Sequence, residues 1–159
     1  MKILILGAGR VGSSLASTLS KQQYEVSIVD LNKNRLQRLQ EDLDLATEVG
    51  HGSYPSTLKK VGADEETILL AVTNSAECNI TSCQIAKSKF NVKKTICRLS
   101  DASYLDSLNA FGENNIDIAI SPENEVTEHL VDLIKHPGAE QIESFANGSI
   151  KVVSVKAKK

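Results

Sequence analysis

The chain has 159 residues, 41% of them hydrophobic, enough for one globular domain with a real core. A formal net charge of −2 gives no global attraction to nucleic acid or an anionic membrane surface. No run approaches the ~20 apolar residues needed to cross a bilayer, so neither nucleic-acid binding nor direct membrane insertion is expected. Three cysteines, set in apolar patterns without a neighbouring histidine, read as reduced core thiols of a cytoplasmic protein.

At the N-terminus Lys2-Ile-Leu-Ile-Leu runs into Gly7-Ala-Gly9-Arg-Val-Gly12, and a helical apolar period starts at once with Val11, Leu15, Ala16 and Leu19. That order predicts a buried strand, a tight glycine turn and a helix. Gly7 permits the turn, Gly9 lets a pyrophosphate approach the backbone, and Gly12 lets the helix lie close on the strand. The N–H groups opening such a helix favour an anion. A second strand, Glu25–Asp30, ends in a carboxylate 18 residues beyond Gly12, near the ~20 expected when an acid closes the strand and accepts hydrogen bonds from a ribose. The backbone from Gly7 through Ala8, Gly9, Arg10 and Val11 is therefore expected to cradle a pyrophosphate, and Asp30 to hold the ribose of an adenosine. The plain alternative is a structural glycine turn with Asp30 capping the next helix.

Asn32 predicts the cap of a short helix carrying Leu36, Leu39 and Leu43 inward. Residues 45–49 make a third strand ending in Gly50-His51-Gly52-Ser53, and Pro55 opens a helix closed by Gly62. Residues 67–72 form the strongest strand, with Thr73-Asn74-Ser75 as its carboxyl-end loop. A long helix with Ile80, Cys83, Ala86 and Phe90 on one side follows, then a strand over 95–99, a helix capped by Ser100-Asp101 through Leu105 and Leu108, and a sixth strand over 117–120. Strands separated by helices at this rhythm imply right-handed crossovers and an α/β fold: a Rossmann-type doubly wound parallel sheet in the order 3-2-1-4-5-6, with ligands at the carboxyl ends of strands one and four. An amphipathic crossover helix over 123–135 carries Val126, Leu130, Leu133 and Ile134. The tail reads as a β-hairpin with the turn signal Asn147-Gly148. The domain expected to bind nucleotide thus spans 1–135. The hairpin tail, 136–159, is barely stable alone and must dock on a neighbour or begin a further lobe.

Several side chains stand near that crevice. Arg10 either pairs a phosphate or is a solvated loop cation. Thr73 and Asn74 either reach the ligand at the switch point or form an ordinary capping turn. Arg98 interrupts an apolar strand and needs an anion or a carboxylate, so the nucleotide and a salt bridge are rivals. His51 and Ser53 lie near the adenine side, with direct contact left open. Asp30 repels a 2′-phosphate, which disfavours NADP, although Lys33 and Arg35 weaken that exclusion.

Read in order, Gly7-Ala-Gly-Arg-Val-Gly12, Asp30, Gly50-His-Gly-Ser53, Val61-Gly-Ala-Asp64, Ala71-Val-Thr-Asn74, Asn79 and Ser121-Pro-Glu123 resemble the N-terminal domain of TrkA-type regulators, within the wider RCK (KTN) family of domains regulating potassium conductance. The resemblance covers essentially the whole chain. It implies a sensor that binds NAD or NADH, and in relatives ATP or ADP, without catalysis. It implies a homo-oligomer, a dimer or ring, at the inner face of the cell membrane beneath a membrane-embedded potassium-translocating subunit. It also implies a longer protein with a small C-terminal lobe. The alternative is the cofactor domain of an NAD-dependent oxidoreductase; against it, no proton-donor grouping stands at the strand ends, and only a helix and a hairpin follow strand six. A scaffold with a vestigial site is the third reading.

Overall fold

Both faces of the first strand are covered, which accounts for its unbroken apolar run. In the computed structural model, which describes residues 1–101, 103–104, 116–145 and 150–156, β1 (Lys2–Leu6) turns Ile3 and Ile5 to one side and Leu4 and Leu6 to the other. Ile3 and Ile5 meet Ala16 of α1 (Arg10–Lys21) and Leu36 of α2 (Lys33–Asp42). On the opposite face, Leu4 and Leu6 share a core with Leu58 of α3 (Pro55–Lys60) and Ile80, Cys83 and Ala86 of α4 (Ala76–Phe90).

β1 pairs in parallel with β2 (Glu25–Asp30) on one side and β4 (Thr67–Ala71) on the other. β3 (Ala46–Val49), β5 (Lys94–Arg98) and β6 (Ile118–Ile120) complete the sheet in the expected order 3-2-1-4-5-6. The order in which strands are added therefore reverses between β1 and β4, and the carboxyl ends of these parallel strands open a crevice there. One expectation fails: Val11 is 42% exposed. The face of α1 nearest the sheet belongs to Gly12 and Ala16, and Val11 lies about 100° around the helix from Gly12. The expected helix through Leu105 and Leu108 falls outside the described residues, apart from Ser103 and Tyr104.

Asp117, just before β6, ties three elements together. Its Oδ2 accepts from the Thr95 N–H at 2.6 Å and the Thr95 hydroxyl at 3.1 Å, and pairs with Lys87 of α4 at 2.9 Å. Burial pushes this carboxyl up, but Lys87 and the two Thr95 donors outweigh it and hold it below the ordinary aspartate range. A carboxylate whose folded pKa is depressed stabilises the fold above its unfolded value and loses that contribution as pH falls through its folded value. Asp117→Asn should therefore flatten the acid limb of the stability–pH curve below about pH 4. Denaturant unfolding across pH 2–7 checks this, and an unchanged limb would refute the role given to Asp117.

The described chain divides into two compact units, Met1–Ser121 and Pro122–Lys159. The helix read from the sequence as closing the first domain thus falls in the second unit. That unit consists of α5 (Pro122–Lys135), packed on β7 (Ala139–Phe145), which pairs antiparallel with β8 (Ile150–Val155). Lys151 of β8 binds Asp132 of α5 at 2.6 Å. Val126, Leu130 and Ile134, successive residues on one stripe of α5, are all more than half exposed. The turn at Asn147-Gly148 lies outside the described residues.

Candidate nucleotide site

The site begins with the turn after β1. Gly7 adopts φ +104° and donates its N–H to the Val29 carbonyl at 2.8 Å, so the chain bends sharply beside the end of β2. A side chain is awkward there for a second reason, because a Cβ on Gly7 would lie 3.1 Å from the Thr73 backbone. At Gly12 the approach is closer still: a Cβ would sit 1.8 Å from the Gly7 carbonyl oxygen. Gly9 differs, since a Cβ there would meet nothing within 4 Å. Gly9 is also the N-cap of α1, without a side-chain cap and with no acid in the first turn. The helix thus presents its positive end and its opening N–H groups beside open space, an arrangement that suits an anion.

Asp30 closes β2, and its two oxygens have separate partners. Oδ2 accepts from the Ala8 N–H at 2.6 Å, and Oδ1 from the Asn32 N–H at 2.7 Å. Asn32 in turn caps α2, its carbonyl accepting from the Asn34 and Arg35 N–H groups. Asp30 therefore both steadies the glycine turn and braces the start of α2. Each oxygen keeps further acceptor capacity for a hydroxyl donor.

A crevice of about 380 Å³ lies over these carboxyl ends. Among the sequence-predicted residues, Gly7, Asp30, His51, Thr73 and Asn74 line it. Ala8, Gly9, Arg10, Val11, Ser53 and Arg98 are not among its lining residues; the first four border it as the turn and the first residues of α1. Ser53 instead holds His51: its hydroxyl and the His51 Nδ1 are 2.8 Å apart, and the His51 ring stacks on Tyr54 with centroids 4.9 Å apart. Arg98 ends β5, half-buried, and its carbonyl accepts from Asn79. Asn32, Arg35, Ser75 and Cys78 line the crevice without having been proposed as contacts. Asn32 was legible as a cap, and a cap beside a strand end is the signal that would have placed it here; Ser75 was read only as part of the loop after the fourth strand.

Thr73 and Asn74 follow β4, and Ser75 caps α4 by accepting from the Cys78 N–H at 3.1 Å. Its hydroxyl proton goes to Glu77 at 2.7 Å, and the Tyr104 hydroxyl reaches the other Glu77 oxygen at 2.8 Å. The Ser75 hydroxyl, the Glu77 backbone N–H and Tyr104 together hold the Glu77 carboxyl below its ordinary range. Cys83 and Cys97 are fully buried. The neighbouring Cys97 thiol and burial push Cys83 far above the ordinary thiol range, so it stays a neutral core group. Cys78 departs from the expectation of a core thiol, being half-exposed at the crevice wall. Among the described residues no group of histidine, cysteine and carboxylate side chains is placed to hold a metal, and no helix is long and apolar enough to cross a membrane.

The model of the TrkA-N domain matches residues 3–122. The Trk system potassium uptake protein TrkA of Halomonas elongata is 42% identical over 159 residues, covering 99% of this chain and 35% of that protein. The chain thus spans about a third of the length of the curated relatives it matches. Solved structures share the fold. The TrkA-N domain of the inner membrane protein ybaL from Escherichia coli superposes with a TM-score of 0.69 at 18% identity, covering 84% of this chain and 96% of that one. GsuK bound to ADP gives 0.68 at 21% identity (86% and 34% covered), and the GsuK channel bound to NAD gives 0.64 at 15% (82% and 23%). Because the family match takes in every strand of the parallel sheet and all of the crevice above it, the chain belongs to the TrkA-N domain family.

Proposed function

We propose that this domain binds an adenine nucleotide, NAD or NADH foremost and ADP or ATP as competitors, and reports its occupancy to a potassium-translocating membrane protein. The observation that carries the reading is the open space at Gly9, above a helix start whose N-cap makes no side-chain hydrogen bond, beside a crevice walled by Asp30. A diphosphate would lie on the opening N–H groups of α1, and the ribose hydroxyls would donate to Asp30. The relatives named as Trk system potassium uptake proteins, and the fold neighbours bound to NAD and to ADP, support the same ligand class and partner.

Binding would do regulatory work without chemistry. A nucleotide biases an assembly only by its difference in affinity between two arrangements. The exposed stripe Val126, Leu130 and Ile134 on α5 suits burial against a second copy of the chain, making a homo-oligomer the responsive unit. The protein would then act at the cytoplasmic face of the membrane through its partner.

Calorimetry with NADH, NAD, ADP and ATP tests the ligand class. Saturable one-site binding of at least one of them is expected, with NADP weaker than NAD because Asp30 meets its 2′-phosphate. Absence of binding by all four would overturn the reading. Steady turnover of an alcohol or hydroxy acid with stoichiometric NADH formation would replace it with an oxidoreductase.

A further inference from the structure

Asn79 is polar, 1% exposed, and sits on the inward face of α4 beside Ile80 and Cys83. A primary amide carries two N–H donors and an oxygen with two lone pairs, and burial is tolerable only when these are satisfied. Here all four have partners. Nδ2 donates to the Thr73 carbonyl at 3.1 Å and to the Arg98 carbonyl at 2.8 Å. Oδ1 accepts from the Thr73 N–H at 3.0 Å and from the Thr73 hydroxyl at 2.7 Å. One side chain thus binds the loop after β4 on three sides and ties it to the end of β5. Aspartate lacks the donors, and leucine lacks both kinds of group.

The loop so held is the wall behind the glycine turn. The Thr73 backbone lies where a Cβ on Gly7 would come within 3.1 Å, and Thr73 and Asn74 face the crevice opposite Asp30. On the ribose side, Asp30 is held by the Ala8 and Asn32 N–H groups, so it touches the same turn through Ala8 while its own bonds do not involve Asn79. We infer that Asn79 is a positioning residue for the phosphate end of the bound nucleotide: it sets Thr73, and through Thr73 the turn that receives the diphosphate, while the adenosine end is set without it. This inference rests on the nucleotide-binding reading above and gives the two ends of the site different side-chain anchors, Asn79 acting through Thr73 and Asp30 acting directly, which meet at the glycine turn.

The different anchors make the test selective. Adenosine, which has no phosphate, is titrated beside ADP and NAD on the full chain and on Asn79→Ala. Expected is a loss of about tenfold or more for ADP and NAD, as for a loosened supporting shell, with adenosine changed by less than about twofold. Equal loss for all three, or none, overturns the assignment. Where Asn79→Ala does not fold, the unaltered protein decides by NMR. ADP at saturation should shift the Asn79 side-chain amide protons, and adenosine at saturation should leave them in place. Movement with both ligands, or with neither, again overturns it. Failure of ADP, NAD and adenosine to bind the unaltered chain at all would instead refute the nucleotide reading itself.

Discussion

Gly12→Ala is expected to lower folding stability by about 3 kcal/mol or more, at the upper end of what an overpacked site costs. The added methyl would fall 1.8 Å from the Gly7 carbonyl oxygen, with the Ile5 side chain 3.4 Å away. Both α1 and the turn must move apart to admit it, because the obstacle is backbone that no rotamer change relieves. Gly9→Ala supplies the contrast. Its Cβ meets nothing within 4 Å and its φ of −74° suits any residue, so stability should change by no more than about 0.5 kcal/mol. Nucleotide affinity should nevertheless fall, since the methyl occupies the space through which a diphosphate reaches the backbone. Urea unfolding of both variants with a parallel titration reads the two effects. Comparable stability losses would refute the separate jobs assigned to the two glycines.

Asp30→Ala should weaken every adenosine ligand by ~1–3 kcal/mol, the range for losing hydrogen bonds to a charged group. The same change strips the Ala8 and Asn32 N–H groups of their acceptor, so some loss of stability should accompany it. Asp30→Asn should fall between, because one amide oxygen serves in place of two carboxylate oxygens. Loss confined to ligands carrying a diphosphate, with adenosine untouched, would contradict the ribose role and leave Asp30 as a brace of the turn only.

Much of this was legible because the signals are local. The run from Lys2 to Gly12 states a buried strand, a turn and a close helix within eleven residues, and the cap at Asn32 is made by its own neighbours. Strand ends moved by a residue, as at β3, which starts at Ala46, and β5, which starts at Lys94, since pairing partners rather than apolar pattern set them. Asp30 shows where local reading stopped. The plain alternative made it the cap of the next helix, yet that cap is Asn32; Asp30 instead holds the Asn32 N–H and also lines the crevice. The Asp30–Ala8 bond spans 22 residues and has no signature in either segment.

Asn79 was harder. Periodicity assumes that inward residues are apolar, yet α4 buries Asn79 and Ser82 beside Cys83, each satisfied internally, Ser82 by donating to the Cys78 carbonyl at 2.6 Å. A polar residue with long-range partners looks in sequence like a surface residue. Val11 misled in the opposite sense, an apolar residue in phase with the stripe but displaced from it by the closeness of Gly12 to the turn.

Backbone amide shifts of isotope-labelled protein titrated with ADP would locate the ligand residue by residue. If the diphosphate lies on the opening turn of α1 with the ribose at Asp30, the largest changes fall on Gly9, Arg10, Val11 and Asn32, and the amino ends of the strands, at Lys2, Glu25 and Thr67, stay still. Saturable binding with the glycine turn unmoved and the changes clustered elsewhere would show that the nucleotide sits in another place.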